Sequence, residues 1–312
     1  MGNKAILFGS DFDDPAPFRA VLARDFPKYE LRVWPDAGRI EDIEYALIWT
    51  IEAGALHTLP NLKAVLALGA GVDQILRDGT FPSRVPLYRL LDAGLSAQMS
   101  EYAIFNVLNV HRRMDDYRAQ QVRREWRRLD AVHPSERTVG VMGLGVLGAD
   151  LVHKLGVLGF RTVGWSRTAK SLPGVQCFYG EEGLRAFLPK CEIVVLLLPL
   201  TPQTQGIINR ATLARLPRGA AIINIARGRH VVDVDLLAAL DSGHISHAML
   251  DVFHDEPLPP DHPFWRHQRV FLTPHIAAQP IAELAMRQIL ENLRRLESGE
   301  PAMGRVDLAA GY

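Results

Sequence analysis

The chain has 312 residues, of which 48% are hydrophobic and 22% charged; that length exceeds one comfortable core and fits two domains of an ordinary globular protein. Its 35 basic and 35 acidic side chains cancel, so bulk charge gives no support to nucleic-acid binding. No apolar run reaches the roughly 18 residues of a membrane span, and the N-terminus lacks a signal-peptide core.

The two cysteines, Cys177 and Cys191, form no metal or redox motif and suit a reducing compartment. A cytoplasmic protein is therefore expected, with neither nucleic acid nor membrane as partner. The histidines other than His275 show no metal-ligand spacing, and no metal is expected.

In chain order, residues 4–9, 31–34, 46–49, 64–68 and 87–90 are short apolar runs that read as strands. The stretches between them hold helices, most clearly Pro15–Asp25. Such alternation argues a parallel α/β sheet. Next, Leu95, Met99, Tyr102, Ala103, Asn106, Val107 and Val110 recur mostly three or four apart and predict one long helix over 96–121. The densest basic stretch, Arg123-Arg124-Glu125-Trp126-Arg127-Arg128, reads as a solvated or subunit-contacting arm.

From Thr138 the strand pattern restarts. Residues 138–142, 161–165, 193–198, 221–225, 248–253 and 270–273 are six strand candidates, the number of the six-stranded dinucleotide fold. Beyond them Met286, Ile289, Leu290, Leu293 and Leu296 predict a last helix closed by Gly299 and packed back on the first domain. The expected fold class is α/β, with two doubly wound parallel-sheet domains. The expected boundaries are 1–101 with 282–312, and 102–281.

Gly143-Leu144-Gly145-Val146-Leu147-Gly148 lies between a strand and a helix, the context a dinucleotide fingerprint requires. Gly143 suits the tight turn, Gly145 lets the main chain approach a pyrophosphate, and Gly148 lets helix and strand pack closely. The helix start faces the phosphates with unsatisfied N–H groups. After the next strand stand Ser166 and Arg167, where an NAD site usually carries an acid for the ribose 2′-hydroxyl. An acid repels a 2′-phosphate, whereas a hydroxyl and a guanidinium bind one. NADPH preference is expected, with NAD still possible; the alternative is that Arg167 stacks on adenine without discriminating.

Arg227, Glu256 and His275 each follow a strand candidate. In an open parallel sheet ligands bind beyond the carboxyl ends of the strands, so these ends would bring a fixed cation, a carboxylate and a titratable acid/base to one crevice. That set can reduce the keto group of a 2-keto acid. His275 is the proton donor. Glu256 orients the imidazole and favours its protonated form. Arg227 grips the carboxylate and keto oxygen with paired donors. Gly69-Ala70-Gly71-Val72 follows a first-half strand; it is either an amide nest for the substrate carboxylate or a plain strand-to-helix turn. Trp49 and Met99 are either pocket walls or core residues.

These motifs resemble the D-isomer-specific 2-hydroxyacid dehydrogenase family, and within it the bacterial glyoxylate/hydroxypyruvate reductases. The matching segments are Leu68-Gly69-Ala70-Gly71-Val72-Asp73, the glycine loop, Asn224-Ile225-Ala226-Arg227-Gly228, the stretch from Asp251 to Pro259, and Thr273-Pro274-His275-Ile276-Ala277-Ala278. The resemblance spans essentially the whole chain. It implies the same catalytic roles for Arg227, Glu256 and His275. It adds Val146, Leu147, Pro199 and Ala226 to the cofactor-binding residues, and Trp49 with residues 69–72, Arg227 and His275 to the substrate-binding ones. Asp251 resembles the family's acid near the nicotinamide carboxamide, with a structural acid as the other reading. The chain departs from many relatives at Ala277-Ala278-Gln279-Pro280, where they carry a hydroxylated or acidic residue.

The resemblance further implies domain closure over the cofactor and a homodimer built on the cofactor domains, with the stretch around Trp126 reaching the partner. The alternatives are a dehydrogenase of a larger 2-keto acid, or a non-catalytic dinucleotide-sensing regulator on the same scaffold, since fold does not fix function.

Overall fold

The computed structural model describes residues 4–77, 79–309 and 311. The chain divides into two compact units, residues 1–95 with 279–312 and residues 96–278. All of the connecting helix but its first residue, Leu95, belongs to the second unit.

In the first unit the order is β1 (Ala5–Gly9), α1 (Pro15–Asp25), β2 (Glu30–Val33), β3 (Ile43–Ile48), β4 (Ala64–Ala67), α2 (Asp73–Leu76) and β5 (Leu87–Tyr88). The strands form one parallel sheet in the order β2-β1-β3-β4-β5, the flavodoxin-like arrangement. β1, β3 and β4 are near-continuous apolar runs because helices cover both faces of a parallel sheet. α1 starts where the Asp14 carboxylate accepts from Ala16 N at 2.9 Å, with Pro15 at the first helical position.

The second unit holds α3 (Leu95–His111), α4 (Met114–Arg123), β6 (Thr138–Met142), α5 (Val146–Val157), β7 (Arg161–Ser166), β8 (Gln176–Tyr179), α6 (Gly180–Phe187), β9 (Ile193–Leu196), α7 (Arg210–Leu213), β10 (Ala220–Asn224), α8 (Asp233–Asp241), β11 (Ile245–Leu250) and β12 (Val270–Leu272). α9 (Ala282–Ser298) returns to the first unit, where Met286, Ile289, Leu290 and Leu293 are buried and Gly299 closes it in the left-handed region.

The second sheet is parallel in the order β12-β11-β10-β9-β6-β7-β8. Its alternating side chains fill two cores. Met142, Val194, Leu196, Ile222 and Leu250 face one way, and Val141, Ile193, Val195, Ile223 and Met249 the other. The order runs outward on both sides from β6 and β9, so the switch point lies between them.

Two expectations are corrected. The sheet has seven strands among the described residues, not six. The strand the sequence hid is β8, a half-buried edge strand of four residues, while β12 extends the six-stranded order by one. The helix expected over 96–121 is two helices. Arg113 takes a left-handed conformation, φ 55°, and across the break Asn109 donates to Asp115 at 2.9 Å and accepts from Arg118 at 3.1 Å. The link to β6 begins at Arg124.

Candidate active site at the carboxyl ends of the second sheet

Because every strand of this sheet runs the same way, the segments following β6, β7, β9, β10, β11 and β12 emerge on one edge. They carry the glycine loop, Ser166 with Arg167, Pro199, Arg227, Glu256 and His275 respectively. This is the edge at which the ligand crevice of such a sheet lies.

His275 and Glu256 are joined directly. His275 Nδ1 lies 2.7 Å from Glu256 Oε2, with their side chains 24% and 20% exposed. Glu256 Oε1 accepts from Phe253 N at 2.8 Å, so both carboxylate oxygens are held. Burial pushes this carboxyl up, but the His275 hydrogen bond and charge, Phe253 N and the Arg227 charge outweigh it and hold it below the usual range. With Nδ1–H donating to Glu256, proton exchange falls to Nε2.

Arg227 is half-buried at the end of β10, and its field reaches Glu256. The turn that carries it is tied by Asn224, whose Nδ2 donates to Arg227 O at 2.8 Å and whose Oδ1 accepts from Ala226 N at 3.2 Å. Arg227 itself donates to Ala226 O at 2.6 Å.

Asp251 is fully buried. Its Oδ1 accepts from Ile276 N and its Oδ2 from Ala277 N, each at 2.8 Å, while its carbonyl accepts from His275 N at 2.8 Å. Burial raises its pKa against these bonds and that from Thr273. The structural use of Asp251 is thus evident: it anchors the main chain that presents His275. This segment includes the unusual Ala277-Ala278 stretch; Ala277 is buried, and α9 begins only at Ala282 without a side-chain cap at Ile281.

The glycine loop has the shape its spacing requires. Gly143 sits at φ 109°, and a Cβ there would stand 2.5 Å from Leu197 O. A Cβ on Gly148 would stand 1.8 Å from Gly143 O, which fixes close packing of helix on strand. At Gly145 an added Cβ would meet nothing within 4 Å, so the start of α5 opens on free space with Val146 exposed and Leu147 half-buried. These residues fit a dinucleotide pyrophosphate. At the end of β7 Ser166 is buried, its hydroxyl donating to Thr168 O at 2.8 Å, and Arg167 is exposed. Pro199 is exposed, its carbonyl accepting from Thr204 Oγ1 at 2.7 Å, and Ala226 is buried.

In the first unit, Trp49 and residues 69–72 follow the adjacent strands β3 and β4. The Trp49 ring lies so close to Gly69 that a Cβ there would be 2.4 Å from it. Ala70 and Gly71 are half-exposed, and Val72 is buried. Met99 packs against the apolar core of the second unit.

Sequence reasoning missed the supports of the site: the Asn224 side chain, the Phe253 amide and the Asp251 bonds to Ile276 and Ala277. Asn224 carried a signal, a polar residue ending an otherwise apolar buried strand. Among the described residues no group of three His, Cys, Asp or Glu is placed to hold a metal ion, and no helix is long and apolar enough to cross a membrane.

Residues 104–277 match the family model described as D-isomer specific 2-hydroxyacid dehydrogenase, NAD binding domain. A glyoxylate/hydroxypyruvate reductase A of Yersinia enterocolitica is 44% identical over 98% of this chain and 99% of its own; that of Serratia proteamaculans is 45% identical over the same shares. Among solved structures, a D-isomer specific 2-hydroxyacid dehydrogenase of Xanthobacter autotrophicus Py2 in complex with NADPH and MES has a TM-score of 0.94 at 42% identity, covering 100% of both chains. An NADPH-dependent glyoxylate/hydroxypyruvate reductase of Sinorhizobium meliloti in complex with NADP and sulfate has a TM-score of 0.92 at 38% identity, covering 99% of this chain and 100% of its own. The strand-end set, the glycine loop and these similarities agree, and the chain belongs to the D-isomer specific 2-hydroxyacid dehydrogenase family.

Proposed function

We propose that this protein reduces small 2-keto acids with NADPH, taking glyoxylate to glycolate and hydroxypyruvate to glycerate. The observation that carries the reading is the His275–Glu256 pair, 2.7 Å apart at the strand ends that also present Arg227. The similar proteins named for these substrates support it, as do the neighbours holding NADPH or NADP.

NADPH, when bound, supplies the hydride to the carbonyl carbon. The start of α5 and the glycine loop hold its pyrophosphate. Arg167 meets the 2′-phosphate, where the absence of an acid at position 166 removes a repulsion; because the Ser166 hydroxyl already serves Thr168, Arg167 carries most of this preference. NAD remains a weaker cofactor. Arg227 holds the substrate carboxylate and keto oxygen and stabilises negative charge developing on that oxygen. His275 delivers a proton from Nε2 to it, and Glu256 stabilises the imidazolium before transfer and fixes the ring. Trp49 and residues 69–72 are assigned to substrate, and Val146, Leu147, Pro199 and Ala226 to the cofactor; Asp251, buried with its carboxylate oxygens bonded to Thr273, Ile276 N and Ala277 N, keeps the structural role.

The same reading makes the protein a cytoplasmic homodimer. Trp126 is 100% and Val122 85% exposed, while the adjacent main chain is held by Gln120 and Tyr117 through Arg127 N and Leu129 N. An ordered arm offering a bare indole suits an interface.

A panel of 2-keto acids with NADPH and NADH tests the function. Turnover of glyoxylate and hydroxypyruvate with NADPH is expected. Turnover confined to larger 2-keto acids would reassign the substrate, and cofactor binding without turnover would favour a regulator.

A further inference from the structure

We propose that Tyr102 is a positioning residue for the reaction, acting through Thr273 and Asp251 on the main chain that presents His275. The inference rests on the reading of His275 as the proton donor.

A partly buried polar chain connects them. Tyr102, on α3, has its hydroxyl 2.5 Å from Thr273 Oγ1, and Thr273 Oγ1 donates to Asp251 Oδ1 at 2.5 Å. Proton count fixes the direction. A threonine hydroxyl has one hydrogen, and Thr273 spends it on the carboxylate, so it accepts from Tyr102. Asp251 in turn gathers three consecutive residues: its carbonyl accepts from His275 N, and its carboxylate accepts from Ile276 N and Ala277 N.

His275 needs such a hold. Its φ is 56°, in the left-handed region, which is disfavoured for a non-glycine residue and persists where the surroundings over-determine it. The side chain leaving this strained residue reaches Glu256 at 2.7 Å. Asp251 supplies the anchors, and Thr273 with Tyr102 fixes where the carboxylate sits. Two donors on Oδ1, Thr273 and Ile276 N, leave it little freedom to turn. Tyr102 thereby ties the active-site turn to a helix outside the strand ends. A misplaced imidazole is enough to slow the reaction, since an error of about 1 Å in a reacting group costs on the order of 100-fold.

The test uses the full-length enzyme with saturating NADPH and either Tyr102→Phe or Thr273→Val, with Thr273→Ser as the conservative rescue. Two readouts are taken. Amide hydrogen exchange at residues 275–277 should quicken in Tyr102→Phe and Thr273→Val and return toward the parent in Thr273→Ser. The kcat for glyoxylate should fall on the order of 10- to 100-fold with the KM for NADPH unchanged, and Tyr102→Phe should cost nothing further in a His275→Ala background. Parental exchange and parental kcat in Tyr102→Phe would overturn the proposal, as would an equal loss with and without His275. Faster exchange together with a fully active His275→Ala variant would instead overturn the assignment of His275 as proton donor, and with it the catalytic purpose of the relay.

Discussion

Gly228 lies against the main chain of Phe253, so close that an added Cβ would stand 2.0 Å from the Phe253 carbonyl carbon. Phe253 N is also the donor to Glu256 Oε1. The turn carrying Arg227 and the turn carrying Glu256 are therefore in register only while position 228 has no side chain. Gly228→Ala must separate two backbones, neither of which can rotate away. Overpacking of this kind costs about 1–3 kcal/mol. Thermal unfolding should report that loss, and kcat should fall as the Arg227 and Glu256 turns part; an unchanged Tm with parental kcat would contradict the contact.

Glu256→Gln should lower kcat for glyoxylate on the order of 10- to 100-fold with the KM for NADPH unchanged, because the imidazole loses the carboxylate that fixes its ring. Burial pushes the Glu256 carboxyl up, but the His275 hydrogen bond and charge outweigh it and hold it below the usual range. The pairing is therefore present at neutral pH and is lost as pH falls through the depressed Glu256 pKa. Parental kcat in the variant would mean that Glu256 does not act on His275.

Cofactor choice is expected to reside beyond β7. Replacing Ser166 with Asp and Arg167 with Ala should move kcat/KM toward NADH, by repelling the 2′-phosphate and removing its cation. Gly145→Ala is the companion change: a Cβ there meets no protein atom within 4 Å, so Tm should hold while the KM for NADPH rises. Retained NADPH preference in the double variant would place 2′-phosphate recognition elsewhere.

How much of this was readable in the chain depends on how local each feature is. Runs such as residues 220–223 are apolar throughout because a parallel sheet is buried on both faces, so the strands that precede Arg227, Glu256 and His275 stood out. β8 did not, because Gln176–Tyr179 is short and only half-buried at a sheet edge. The break between α3 and α4 was hidden because it needs Arg113 in a conformation that arginine rarely takes. Asp251 was visible as an acid at a strand end, but its hold on residues 275–277 arises only once His275 turns left-handed. Ser166 was visible as a non-acid at the second strand end, whereas its bond to Thr168 O requires the turn itself.

The exposed indole of Trp126 leads to an expectation about assembly. Sedimentation at micromolar concentration should give a dimer, and Trp126→Ala should weaken it by on the order of 2 kcal/mol, the cost of a hot-spot residue. A parent that sediments as a fully active monomer would remove the arm's role.

The central claim is tested most directly by the rate of NADPH oxidation with glyoxylate in the parent and in His275→Ala, each with bound NADPH measured separately. A positioned acid is worth roughly 10²–10⁴ in rate. The account predicts ready turnover by the parent and a loss of that size in His275→Ala with NADPH binding retained. Parental turnover in the variant, or none in the parent, would contradict it.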